Sequence, residues 1–209
     1  MVSSIPGTTR LSVLIDKNPL PLTLQFNFGP EAVPRLQTRL RMAESSRLRV
    51  VATASRPETR QWCLDLGAHV VIDHSRPLAA ELKAAGVEGV ELVASLTQTL
   101  QHYPQIIEAL KPQGRLGVID DMQGLDAMPL KSKALSLHWE LMFTRPMYET
   151  PDMAEQGALL AEVAALVDTG RIRSTASTSF GTINAQNLRK AHALIESGKA
   201  HGKVVLAGF

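Results

Sequence analysis

The chain has 209 residues, 44% hydrophobic and 20% charged, with a formal net charge of +2. That composition fits a globular protein with one sizeable core, and the mild charge, basic residues interleaved with acidic ones, argues against a nucleic-acid partner. No apolar run approaches the ~20 residues that span a bilayer, and the lone cysteine, Cys63, rules out an internal disulfide or a cysteine-built zinc site.

Met1 to Thr9 lacks a basic region followed by an apolar one, so it does not read as a secretory signal, and the expected location is cytoplasmic. Residues 1–47 are atypical: Pro6, Pro19, Pro21, Pro30 and Pro34 interrupt short apolar bursts. The first burst, Leu11 to Ile15, reads as a strand, the Pro19–Pro21 pair as a break, and Arg35 to Arg49 as a polar helix with little to bury. Composition leaves open whether this segment is ordered.

From Leu48 strand and helix alternate. Leu48 to Ala54 reads as a buried strand, β-branched and uncharged at its centre. Ser55 is placed to cap a helix that Pro57 opens and Gly67 closes. Strands at 69–73, 90–96 and 115–119 follow, separated by helices at 77–85 and 99–110, with a turn at 111–114. A longer strand is expected at 136–144 and an amphipathic helix at 154–169. An extended run at 172–180, a helix at 185–197 and a strand at 203–207 complete the chain. This alternation predicts an α/β fold, a Rossmann-type doubly wound parallel sheet flanked by helices, occupying residues 48–209 with a C-terminal return segment at 171–209.

The strand end at Ala54-Ser55-Arg56 carries the most chemistry. In dinucleotide-binding folds the tip of the second strand reads the adenosine ribose: an acid there accepts both hydroxyls, whereas a small polar residue followed by a cation suits a 2′-phosphate. No acid precedes Glu58, and the Arg56 guanidinium can make paired charge-assisted bonds to phosphate. The same residues also fit an ordinary helix start with a solvated arginine. No G-x-G-x-x-G occurs anywhere, so the amides that would hold a pyrophosphate have no visible source. The six histidines (His69, His74, His102, His138, His192, His201) show no metal-ligand spacing, so no metal site is expected. Asp120-Asp121 follows a strand at the end where ligands bind in open α/β sheets, or is a solvated acidic turn.

The segments Val50 to Thr59, Leu66-Gly67-Ala68-His69, Val71 to His74, Leu110 to Arg115 and Ala191 to Leu206 together resemble the medium-chain dehydrogenase/reductase superfamily. The closest likeness is to its quinone oxidoreductase-like branch, often labelled zinc-type alcohol dehydrogenase-like. The resemblance implies an NADP(H)-dependent oxidoreductase that reduces a small-molecule quinone, enone or related carbonyl. It implies that Ser55 and Arg56 hold the 2′-phosphate, with Thr59 nearby and His74 at the adenosine end. It further implies that Ser95, Leu96, Thr97, Ile119 and Asp120 border the cofactor, that Phe143 and Lys203 lie toward the nicotinamide, and that residues 136–144 pair two subunits in a homodimer. It assigns no catalytic acid or base.

The family places a whole substrate domain, then a first strand and glycine turn, ahead of the region matched here, and residues 1–47 do not resemble them. A truncated chain, or a frame change joining unrelated codons to a real gene, would account for the switch near residue 48. Two other readings stand beside the enzyme: a non-catalytic remnant that self-associates through an exposed sheet edge, and another Rossmann-like nucleotide binder such as a methyltransferase, which the missing acid after the Val50 strand disfavours. Translating the encoding DNA upstream in all frames is expected to uncover a glycine fingerprint; its absence from every frame would sink the frame-change account.

Overall fold

The computed structural model describes residues 13–17, 48–197, 199–200 and 202–208. It forms two units, a larger one whose described residues fall within 13–172 and a smaller one within 173–208. The polar helix expected at 35–49 lies outside the described residues as far as residue 47, and Leu48 and Arg49 belong to a strand instead.

The larger unit runs β1 (Val13–Lys17), β2 (Leu48–Thr53), α1 (Pro57–Asp65), β3 (Val70–Ile72), α2 (Leu78–Ala84), β4 (Val90–Ser95), α3 (Thr99–Ala109), β5 (Leu110–Val118), a 3-10 turn (Met128–Lys133), β6 (Ser136–Trp139), α4 (Thr144–Met147) and α5 (Glu155–Asp168). Gly67 and Gly86 end α1 and α2 with φ of 101° and 71°, a left-handed conformation that a side chain would strain. The six strands form one sheet in the order β3-β2-β1-β4-β5-β6. β2 with β3, β4 with β5, and β5 with β6 pair in parallel, as expected.

The central strand departs from that expectation. β1 lies between β2 and β4 and is antiparallel to both, with Val13 opposite Ala52 and Ala94, and Ile15 opposite Val50 and Leu92. The sheet is therefore mixed at its middle. Other boundaries also moved. β5 begins at Leu110, taking in the expected turn. β6 stops at Trp139 rather than 144: the Glu140 N–H still reaches the Val118 carbonyl at 2.9 Å, but Thr144 already opens a short helix. Helix α5 has no buried residue.

Alternation along the strands sends side chains to two faces. One face carries the main core, where Val51, Ile72, Val93, Leu116 and Val118 of the sheet meet Leu78 and Leu82 of α2 and Ile106 of α3. The other is thinner and built from small residues: Ala52, Ala54, Ala68 and Val71 against Cys63 of α1. Two cations close helix C-termini, where free carbonyls and the helix dipole favour positive charge. Lys133 Nζ donates to the carbonyls of Ile107, Glu108 and Leu110 at 2.8, 2.9 and 2.7 Å, finishing α3. Arg49 donates to the carbonyls of Ala85 and Gly86, each at 3.3 Å, finishing α2.

The smaller unit holds β7 (Ala176–Ser179), α6 (Ala185–Glu196) and β8 (Lys203–Val205), the two strands being parallel. Asn184 caps α6 by accepting from the Asn187 N–H at 2.9 Å. The last strand ends at Val205, two residues short of the expectation. Among the described residues no helix is long and apolar enough to cross a membrane.

Two outcomes follow. Leu116 is fully buried in the main core, so Leu116→Ala is expected to lower the unfolding free energy by about 2–5 kcal/mol in a urea titration. Burial pushes the Cys63 thiol up to about 11, with Arg60 offsetting only part of the effect. The folded state thus favours the neutral thiol, a contribution intact below the ordinary thiol value of about 8.5 and lost as pH climbs through the raised one. Iodoacetamide at pH 8 should leave native Cys63 intact and alkylate it in urea; equal rates in both would refute the burial.

Candidate functional site

Because β2 to β6, β1 aside, run in one direction, their carboxyl ends share one edge of the sheet, and the order of winding reverses between β2 and β4. In open α/β sheets that reversal marks the ligand crevice. Ten of the eleven residues singled out from sequence lie on this edge. Ser55 and Arg56 follow β2, with Thr59 in the first turn of α1; His74 follows β3. Ser95 ends β4 and Leu96 and Thr97 follow it, Ile119 and Asp120 follow β5, and Phe143 follows β6. The ends are tied laterally: the Ala54 N–H donates to the Ile72 carbonyl at 2.9 Å and the Ile119 N–H to the Ser95 carbonyl at 3.3 Å. Lys203 is an exposed residue of β8 in the smaller unit.

After β2 the chain bends at Ser55 and Arg56, and Arg56, extended at φ −109° and ψ 143°, is the residue before the helix, with no side chain capping it. Ser55 is left exposed. Thr59 is buried and donates its hydroxyl to the Arg56 carbonyl at 2.9 Å, fixing the backbone from which the arginine projects. The half-buried Arg56 guanidinium lies 3.5 Å from the exposed Glu58 carboxylate.

Next to it, after β3, burial would raise the Asp73 carboxyl, but the Ser75 N–H and hydroxyl, at 2.9 and 2.7 Å, together with His74 and Arg76 hold it below its usual range. The stability this contributes is present above the ordinary aspartate value of about 3.9 and is lost as pH falls through the lower, folded one. His74 sits edge-on to His102 of α3, ring centres 6.2 Å apart and planes at 75°. His102, buried, passed as one of several scattered histidines in the sequence, which gives no sign that residues 28 positions apart will meet.

The β4 and β5 ends form one hydrogen-bonded network. The Ser95 and Thr99 hydroxyls are 2.7 Å apart and buried, and Asp120 accepts from the Thr99 N–H at 3.0 Å and also from the Thr99 hydroxyl. Asp120 is thus the N-terminal cap of α3, delivered from another strand, and its negative charge faces the positive end of that helix. Gln98, just before, is held at φ 54°, a conformation that costs a residue with a side chain about 1–2 kcal/mol. Thr99 was not singled out from sequence: a threonine opening a helix gives no hint that a carboxylate 21 positions on will cap it.

A strand-helix sheet with this order and a polar carboxyl edge defines a Rossmann-type nucleotide-binding architecture. A family profile described as zinc-binding dehydrogenase matches residues 66–206, and the chain belongs to that family, within the medium-chain dehydrogenase/reductases. A second profile, described as sulfur oxidation protein SoxY, matches residues 1–59. A zinc-type alcohol dehydrogenase-like protein of Staphylococcus aureus is 33% identical over 162 residues, covering 76% of this chain and 48% of the relative. A candidate zinc-dependent alcohol dehydrogenase of Rhizobium etli, of known structure, is 53% identical with a TM-score of 0.75, covering 83% of this chain and 51% of that one. Escherichia coli quinone oxidoreductase, solved with NADPH, shares the fold at 16% identity and a TM-score of 0.64, covering 81% and 52%. The chain spans about half the length of the relatives it matches.

The zinc of the family's description finds no ligand set among the described residues: no three His, Cys, Asp or Glu side chains are grouped to hold an ion. Asp120→Ala should destabilise the fold by about 1–2 kcal/mol through loss of the cap. Combined with Thr99→Val it should cost clearly less than the two changes added, since both break one network. Additive losses in a urea double-mutant cycle would separate Asp120 from α3.

Proposed function

We propose that this chain is the cofactor-side half of an NADP(H)-dependent oxidoreductase that reduces a quinone, an enone or a related small carbonyl compound, working in the cytoplasm. The observation that carries the reading is the β2 end. Ser55 and Arg56 stand at the carboxyl edge with no acid before Glu58, and the positive end of α1 lies behind them. A 2′-phosphate there would meet a hydroxyl and a guanidinium, and a dianion competes well with the single exposed Glu58 carboxylate for Arg56. His74, just past the end of the neighbouring strand β3, suits the adenosine side.

The nicotinamide would supply hydride chemistry, the protein orientation. On this reading a substrate domain chooses the carbonyl compound, and no acid or base of this chain is given a catalytic role. Calorimetric titration is expected to give binding of NADPH but not of NADH. Arg56→Ala should weaken NADPH about 10- to 100-fold, the worth of a charged hydrogen bond. Equal affinity for NADH and NADPH would overturn the proposal.

A second reading, a non-catalytic remnant that self-associates, draws on the outer edge of β6, which no described strand covers. Trp139, 55% exposed, and Phe143, 52% exposed, stand there with Leu141 and Met147 also exposed, and such an edge invites strand pairing with a second copy. The homodimer is compatible with both readings. Sedimentation velocity should find a dimer that Trp139→Lys shifts toward monomer; an unchanged distribution would remove the edge from the assembly.

A further inference from the structure

A dinucleotide needs more than the adenosine end. In doubly wound sheets the central strand ends at the carboxyl edge and passes the chain into a glycine turn and a helix, whose free N–H groups hold the pyrophosphate. Here the central position belongs to β1, and its polarity is reversed. Val13, its first residue, is level with Ala52 and Ala94 near the carboxyl edge, while Lys17, its last, is level with Leu48 at the amino edge. Lys17 thus lies roughly 14 Å along the strand from the carboxyl edge. Among the described residues no strand-to-helix turn leaves the central strand at the pyrophosphate position, and the sequence holds no glycine fingerprint.

The neighbouring helices offer no substitute. The N-terminus of α3, after β4, already has its anion: Asp120 accepts from both the Thr99 N–H and the Thr99 hydroxyl, and Ser95 is buried against Thr99. A pyrophosphate brought to that helix would meet a carboxylate of its own sign. Helix α1 opens with Pro57, which lacks an N–H, and stands behind the Arg56 position at the adenosine end. The described residues therefore do not fit the full dinucleotide, although they fit its 2′-phosphoadenosine end.

We infer that this chain holds 2′-phosphorylated adenine nucleotides by that end alone, so that the pyrophosphate and nicotinamide of NADP(H) add nothing to its affinity. The inference rests on the 2′-phosphate reading of Ser55 and Arg56. The test uses the full chain and two ligands, NADPH and adenosine 2′,5′-bisphosphate, titrated by calorimetry, with nicotinamide emission followed for NADPH. The expected result is two dissociation constants within about threefold of each other, in the range of about 0.1–1 mM that one charged anchor gives. Arg56→Ala should weaken both by the same factor, and nicotinamide emission should stay as in water. NADPH binding tenfold or more tighter than the bisphosphate, or a rise in emission on binding, overturns the half-site while leaving the preference for the 2′-phosphate standing. Binding of neither ligand by the folded chain removes both this inference and the reading beneath it.

Discussion

Two buried strand edges face each other across the middle of this sheet, and neither can be left unpaired. β2 and β4 carry side chains almost wholly withdrawn from water (Val50, Val51 and Ala52 on one, Val93 and Ala94 on the other). Their facing N–H and C=O groups have no solvent to turn to. An unpaired buried peptide group costs on the order of a lost hydrogen bond, and a whole edge multiplies that cost. Some strand must fill the gap, and β1 fills it. Ladder bonds depend little on direction: parallel and antiparallel pairs satisfy the same groups with similar energy. The cohesion of the sheet is therefore indifferent to the polarity of its central strand, whereas nucleotide chemistry at the carboxyl edge is not. The sheet can hold together here although no described element stands at the pyrophosphate position.

Much of this was legible in the residues. The β-branched runs ending at Thr53 and Ser95, the helix stops at Gly67 and Gly86, and the segment pattern of the family all point to the sheet and to its carboxyl edge. What stayed hidden is what no local pattern encodes. Val13-Leu14-Ile15 is an apolar burst in either direction, so its strand character could be read but its orientation could not. Asp120 looked like a loop acid or a cofactor contact because the partner that engages it is Thr99, on the other side of β5 in sequence. Ser55 looked like a cap because the residue type is right; one further extended residue, Arg56, moves the helix start past it. The strand expected to reach 144 broke at Trp139 because an apolar, aromatic run such as Leu137 to Phe143 suits an edge strand and an exposed turn equally.

The exposed surfaces are consistent with a chain about half as long as its relatives. Helix α5 carries Leu159, Leu160, Val163, Leu166 and Val167 yet buries none of them. The paired strands β7 and β8, a two-stranded sheet, are too few to be stable without further packing. The adjoining profile matches, one ending at residue 59 and the other beginning at 66, fall near the change in composition at residue 48. The zinc-binding dehydrogenase profile thus begins after β2 and α1, and the central strand lies within the stretch matched by the other profile.

That origin has a kinetic side. β1 pairs with β2 across a connection of about thirty residues and with β4 across about seventy. The parallel units β2-α1-β3 and β4-α3-β5 are local by comparison, so they can form early at small cost in loop entropy. The last ladder to zip is then the one in the middle, because closing those long loops becomes favourable only once two edges are present to receive the strand. A chain lacking that ladder would present two open strand flanks, the kind of edge that invites aggregation.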